Sequence, residues 1–415
     1  MAARSKLSIP SLDRLFGVEA ERKISESGVR NVFTPHQPIS EATLLSGRKD
    51  EIKKVAATLN TPGQHVLLYG ERGVGKSSLA NVCSLVLGYM KDLKLFVKRC
   101  DQSDTFESIM QAPLSAVGAD LSLTGVTETV DNKFAADAKL IKGERAESVV
   151  QAYQKHHSLS PSVVAEAIQG LEALMVVDEA DAIANSEDRR KLAELIKLLS
   201  DAGSQFKMMV VGIASTGAEL TAAHPSVQRC LRETKLGRMS NPELKQIVDD
   251  GSEKLSLHFH PKVTQSIVAL SAGFPHFTQL MALKCAEEAI AEDRTYIEEK
   301  HLKAALSSAV QDAEGTLKRA YEDATRSFGT QMYEEIVSAA ATITSEEFNA
   351  AALREAIERR TGEAMSQGSL NNYLQRLVSV DGSRIMQRTA KGVYRLSDPR
   401  MASYVRMRNM MEPPD

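Results

Sequence analysis

The chain has 415 residues, a formal net charge of −3 and 43% apolar side chains. That length exceeds the roughly 100–200 residues of a usual domain, so two or three domains are expected, each with enough apolar content for its own core. The near-neutral balance excludes a polyelectrolyte that holds nucleic acid over its whole surface, and no run of 18 apolar residues offers a transmembrane helix.

Residues 1–30 are polar and mixed, with a short helical pattern at Leu12, Leu15, Phe16 and Val18, and read as an N-terminal docking arm. Residues 31–47 are extended and punctuated by proline. A helix follows from Arg48, with Ile52, Val55 and Leu59 on one face. His65–Tyr69 is a short apolar run bounded by glycine, as expected of a buried parallel strand. A glycine-rich loop and a helix from Lys76 to about Met90 come next, and Leu95–Val97 suggests a second strand. Residues 111–160 lack clear periodicity and read as an insertion. Ser160-Pro161 marks a helix start, with Ser160 as cap and proline at the first position.

Ala173–Val177 is another buried strand and runs into Asp178-Glu179. Residues 188–200 are helical, and Lys207–Ile213 reads as the last core strand. Strands alternating with helices predict an α/β fold on a parallel sheet. Helices dominate from Asn241 to about Arg326. Beyond them, Glu346–Arg360 reads as one helix capped by Ser345, Ser366 leads into another, and Arg384–Arg388 and Gly392–Leu396 form two short strands. The expected division is an arm (1–30), an α/β domain (31–240), an all-helical domain (241–326) and a C-terminal domain of helices and a β-hairpin (327–415), which is a winged-helix pattern.

Gly70-Glu71-Arg72-Gly73-Val74-Gly75-Lys76-Ser77 matches GxxxxGK[ST] in full. Glycines let backbone N–H groups curl round an anion, and the following helix aims its positive end at the phosphates. In that pattern Lys76 reaches the β- and γ-phosphates of ATP, Ser77 ligates Mg2+, and Ser78 lies beside them. A strand ending in acids supplies the second half of the chemistry: Asp178 for the metal and Glu179 to activate water. Asp181 reads as a capping or supporting acid. Ser215 and Thr216 follow the last core strand, where ligand sites of parallel sheets lie. Arg229 and Arg232 are three residues apart and read as sharing a helix face, with the planar fork that suits a γ-phosphate.

The order of these motifs resembles an AAA+ ATPase, and within it the origin-recognition-like clade in a bacterial version. The stretches that carry the likeness are VFTPHQPI, LLSGRKDEI, PGQHVLLYGERGVGKSSLA, ALMVVDEAD and MMVVGIAST. The resemblance implies a homo-oligomer with ATP sites shared between subunits. It places Phe33–Ile39 and Gly47-Arg48 near the adenine, and makes Ser215 or Thr216 the first sensor. Arg229, or else Arg232, becomes the finger that reaches a neighbouring subunit. It also implies a Gly-x-x-Arg sensor in the lid, where this chain has Gly273-Phe274-Pro275-His276. Gly-x-Pro there resembles instead the signal-transduction (STAND) branch of P-loop ATPases, in which nucleotide gates an effector. Asp178 follows Lys76 by 102 positions, farther than a bare core requires. No NKxD-type guanine motif argues for a GTPase.

Residues 366–410 carry eight cations (Arg376, Arg384, Arg388, Lys391, Arg395, Arg400, Arg406, Arg408) against two acids (Asp381, Asp398). That excess is a candidate footprint for double-stranded DNA, with Asn371, Asn372 and Gln375 placed to read base edges. A protein effector is the alternative partner. Cys83, Cys100, Cys230 and Cys285 are widely spaced without a CxxC pair, which points to free thiols in a reducing compartment. No apolar leader begins the sequence, so the expected location is cytoplasmic, with no membrane partner.

Overall fold

A computed structural model describes residues 18–39, 41, 45–119, 159–213, 225–312, 315–327, 329–379 and 383–411. The chain divides into two compact units. Of the described residues, those within 39–71 and 76–237 form the sheet unit, and those within 18–38, 72–75 and 238–411 form the helical unit.

The sheet unit is built on five parallel strands: β1 (His65–Gly70), β2 (Lys94–Arg99), β3 (Ala173–Asp178), β4 (Phe206–Gly212) and β5 (Leu231–Leu236). Their order is β2-β3-β4-β1-β5. β3 and β4 are buried along their whole length and β1 nearly so, as parallel strands covered on both faces must be. The two edge strands are instead charged and part-exposed, which discourages pairing with another chain. That charge hid β5 from sequence reading: LRETKL carries no continuous apolar run, yet it pairs with β1 from His65↔Leu231 to Gly70↔Leu236. The last core strand is therefore β5 and not the 207–213 run.

Helices Lys49–Asn60, Lys76–Lys91, Phe106–Ser115, Pro161–Ile168 and Ser186–Asp201 cover the sheet. The core beneath Phe106–Ser115 and Ser186–Asp201 is continuous, and includes Met110, Met175, Leu195 and Phe206. Phe106–Ser115 begins with a capping box at Thr105 and Ser108 and runs into the first residues of the 111–160 stretch that reads in sequence as an insertion. The rest of that insertion, from 120 to 158, lies outside the described residues. Pro161 does open its helix, but Ser160 makes no side-chain cap; its hydroxyl pairs with that of Ser162. All four cysteines are buried free thiols. Burial pushes Cys83 and Cys100 up to about 12, so both stay protonated and inert at neutral pH.

The helical unit runs from Asn241–Leu255 through Pro261–Ser271, Pro275–Ala291 and Glu299–Asp312, with two short paired strands between them, β6 (His258–Phe259) and β7 (Tyr296–Ile297). The N-terminal segment is stitched to it. Arg30 pairs with Glu287 at 2.7 Å, and Gln279 accepts from the Thr34 N–H at 2.7 Å. Helices Met332–Thr342, Ala350–Thr361 and Gln367–Val378 follow, with a small sheet in the order β8 (Phe348–Asn349), β10 (Val393–Leu396), β9 (Met386–Ala390). The expected single helix over 346–360 is corrected here. Phe348 and Asn349 pair with β10, and Asn349, not Ser345, caps the helix by accepting from Ala352 N–H at 2.8 Å. Ser345 hydrogen-bonds to the Glu347 carbonyl instead. The closing helix Met401–Met411 is tied down through Ser403, which donates to the Ser271 carbonyl, and Arg406, which donates to the carbonyls of Ala269 and Ala341.

Candidate nucleotide site

The site grows out of the sheet order. In a parallel sheet all carboxyl ends lie on one side, so the loop after β1 and the acid ending β3 share an edge. β4 lies between them, which separates the two by roughly 10 Å at ordinary strand spacing. That gap suits a phosphate chain and a cation.

The loop 70–77 joins β1 to the helix Lys76–Lys91. Gly73 (φ 85°) and Gly75 (φ 94°) occupy the left-handed region, where a Cβ costs energy, so glycine is required for the curl. The Lys76 ammonium donates to the carbonyls of Gly70 and Glu71 at 3.0 and 2.9 Å, which holds it within the ring of the loop. Val74 is buried and anchors the loop tip. Ser77 stands at the second position of the helix, half-buried. Ser78 points elsewhere: its hydroxyl accepts from the Ile39 N–H at 3.1 Å and pins the extended segment to this helix.

Asp178 is 4% exposed. One carboxylate oxygen accepts from the Glu179 N–H at 3.0 Å; the other lies 3.7 Å from Nε of Arg99, its register partner on β2. Sequence reading missed Arg99, because nothing in KLFVKR says which of its cations ends level with Asp178. Glu179 has φ 56° and ψ 39°, an unusual backbone for a non-glycine residue, and its side chain is exposed. Such conformations cost about 1–3 kcal/mol and concentrate at functional sites. Asp181 sits in the 3-10 turn Ala180–Ala182, exposed.

The loop tip Arg72–Gly75 groups with the helical unit. A Cβ on Gly73 would lie 2.9 Å from Cδ of Arg400 and 3.6 Å from the Phe274 ring; one on Gly75 would lie 3.7 Å from Pro275. Arg400 is itself 5% exposed and donates twice to Asp398, at 3.0 and 2.8 Å. Burial alone would raise the Asp398 pKa, but the Arg400 guanidinium, with a smaller contribution from Arg72, holds it below the ordinary carboxylate range. Neither Arg400 nor Asp398 was expected at the loop. The only signal was Asp-Pro-Arg at the head of a helix.

The Gly273-Phe274-Pro275-His276 turn has its own logic. Gly273 has φ 88°, and a Cβ there would meet Arg238 at 2.7 Å. The Arg238 guanidinium lies over the Phe274 ring at 4.9 Å, and Pro275 opens helix Pro275–Ala291 at its first turn. His276 bonds through Nδ1 with the Pro35 carbonyl at 2.7 Å.

The remaining expected residues fall as follows. Phe33 is buried edge-on against Phe259. Arg48 is buried, donating to the Gly237 carbonyl at 2.7 Å and pairing with Glu51. Ser215 and Thr216 lie outside the described residues. Arg229 and Arg232 do not share a helix face: Arg229 ends the short 3-10 turn Pro225–Arg229 and Arg232 lies on β5. β-sheet pairing with β1 ended the turn before a second arginine could join it. Arg229 is exposed.

A glycine loop after the first strand of a five-stranded parallel sheet, with an acid-tipped strand two places away, defines an α/β P-loop NTPase. The chain belongs to the Novel STAND NTPase 1 family, whose model matches residues 36–391. Its fold is shared by solved structures that include the following two. The Walker-type ATPase PABY2304 of Pyrococcus abyssi is 16% identical, covering 90% of this chain and 99% of that one at a TM-score of 0.51. The ORC2 protein of Aeropyrum pernix in ADPNP–ADP complexes is 17% identical, covering 92% and 98% at 0.51. At that identity the likeness shows the fold alone. No curated protein matches the sequence. Among the described residues no helix is long and apolar enough to cross a membrane.

Proposed function

We propose that this chain is a nucleotide-operated regulatory switch that binds ATP with Mg2+, hydrolyses it, and reports the phosphate state through its C-terminal module. The observation that carries this reading is the stem of Arg400 lying on Gly73, with Phe274 and Pro275 beside it. A loop that reshapes round a γ-phosphate would disturb Arg400, a buried arginine of the same helical unit. Membership in a STAND NTPase family supports the same reading.

The residues fit the group. Lys76 and the loop N–H groups would hold the phosphates, and Ser77 with Asp178 would hold the magnesium, which neutralises phosphate charge. Glu179, exposed beside Asp178, would take the proton of the attacking water. Arg229, exposed at the end of its turn, is offered as the finger supplied to a neighbouring subunit in a homo-oligomer. Helices 332–378 with the β8–β10 sheet would be a winged helix, and a protein effector its partner.

The test is the release rate of a fluorescent ADP from Arg400→Ala. Loss of the contact should speed release about tenfold, which corresponds to about 1.4 kcal/mol. An unchanged rate in a folded variant would sink the reading.

A second reading is binding of double-stranded DNA. Most of the local charge excess is engaged inside the fold. Arg376 donates to the Arg326 carbonyl and stacks on Tyr333, Arg395 lies 3.7 Å from Glu346, and Arg408 covers Tyr321. Arg400 and Arg406 are held as described above. Arg384, Arg388 and Lys391 are exposed, as are Asn371, Asn372 and Gln375, and these favour a narrow contact at the hairpin. Salt-sensitive duplex binding that Arg388→Ala/Lys391→Ala flattens would support it; salt-independent or absent binding would remove it.

A further inference from the structure

The amino ends of the same strands hold a feature that the nucleotide chemistry does not use. β4 reads Phe-Lys-Met-Met-Val-Val-Gly and is buried throughout, yet its second residue is Lys207, 9% exposed. Its ammonium donates to the Thr61 carbonyl at 2.9 Å and weakly to that of Gln64 at 3.4 Å. Among the described residues no carboxylate pairs with it. Burial lowers its pKa, and the nearby Lys91 lowers it further. A lysine in that state is held out of water with no counter-ion, which is costly unless an anion completes it.

Lys207 lines a cavity of about 270 Å³. Leu59, Leu87 and Leu174, all buried, form its apolar floor. Lys91 stands on the rim with Gln205 and Glu172. Two cations, one of them sunk in an apolar floor, outnumber the single acid at the mouth. The volume lies at the small end of ligand pockets, so the occupant is fragment-sized.

We propose that this cavity is a second ligand site, for a small organic anion with a hydrocarbon body, its charged head on Lys207 and its tail on Leu59, Leu87 and Leu174. The dispersion contacts and the charge act together: neither an inorganic anion nor an uncharged hydrocarbon satisfies both surfaces. Because the site lies at the opposite ends of β1, β3 and β4 from the phosphate loop, it is chemically separate from the nucleotide.

The experiment is calorimetric titration of the full chain with hexanoate, hexyl phosphate, 1-hexanol and inorganic phosphate. Saturable binding of hexanoate or hexyl phosphate is expected, at least tenfold tighter than hexanol or phosphate alone. Lys207→Met removes the charge and keeps the stem; Gln205→Trp fills the mouth from an exposed position and leaves the core intact. Each should weaken the anion at least tenfold, with folding checked by circular dichroism. If neither anion binds the wild-type protein, or hexanol binds as well as hexanoate, the proposal is overturned. Unchanged binding by the folded Gln205→Trp variant overturns it as well.

Discussion

His65 makes the sheet unit acid-sensitive in a way that can be calculated. It is 1% exposed at the start of β1, and its Nδ1 accepts from the Met208 N–H at 3.0 Å. That bond fixes the neutral ring, and Nε2 has no partner among the described residues. Burial, with Lys207 nearby, lowers its pKa to about 3, against about 6.5 in the unfolded chain. A depressed histidine pKa means the unfolded state binds the extra proton first. Stability from the neutral ring is therefore whole above pH 6.5 and is lost as pH falls toward 3. Integration gives a loss of about 2 kcal/mol between pH 7 and pH 5, a figure that scarcely changes if the folded value is a unit higher. The assay is urea unfolding followed by circular dichroism at both pH values, fitted for the sheet unit's transition. The comparison is His65→Asn, whose amide oxygen can still accept from Met208 but does not titrate. The variant should lose about 2 kcal/mol less than wild type on acidification. Parallel losses in the two proteins would refute the reasoning.

Three further outcomes concern the site. Lys76→Met should weaken a fluorescent ATP analogue by about 10- to 100-fold, the value of a charge-assisted hydrogen bond to phosphate, and equal affinity would remove the loop as the binding element. Glu179→Gln should bind ATP normally while turnover drops by about 10²–10⁴, and full turnover would withdraw its role as base. Arg229→Ala should cut turnover and abolish any rise of specific activity with protein concentration; wild-type behaviour on both counts would mean no shared finger at this position.

How much was legible depended on how each residue announces itself. The loop 70–77 and ALMVVDE were readable because a buried strand that ends in chemistry is apolar up to the last residue. β1, β3 and β4 follow from the same signal. β5 was not readable, since an edge strand needs only Leu231 and Leu236 inside and leaves Arg232, Glu233 and Lys235 outside. The helix expected for Arg229 and Arg232 was the result of that omission. Arg400 and Arg99 were hidden for a different reason. Their places beside Gly73 and Asp178 come from tertiary approach over hundreds of residues in one case and strand register in the other, neither of which leaves a local pattern. Gly273-Phe274-Pro275 shows the reverse. It departs from Gly-x-x-Arg, and its Gly-x-Pro resembled the STAND branch, to which the matching family belongs.

The central claim is that nucleotide state at the loop is coupled to the C-terminal module through Arg400. Hydrogen exchange of the amides of Met401–Met411 measures this directly, compared in excess ADP and in a non-hydrolysable ATP analogue with Mg2+. The account predicts faster exchange of this helix with the ATP analogue, and Arg400→Ala exchanging fast in both. Identical protection in the two nucleotides, with the analogue shown to be bound, would contradict it.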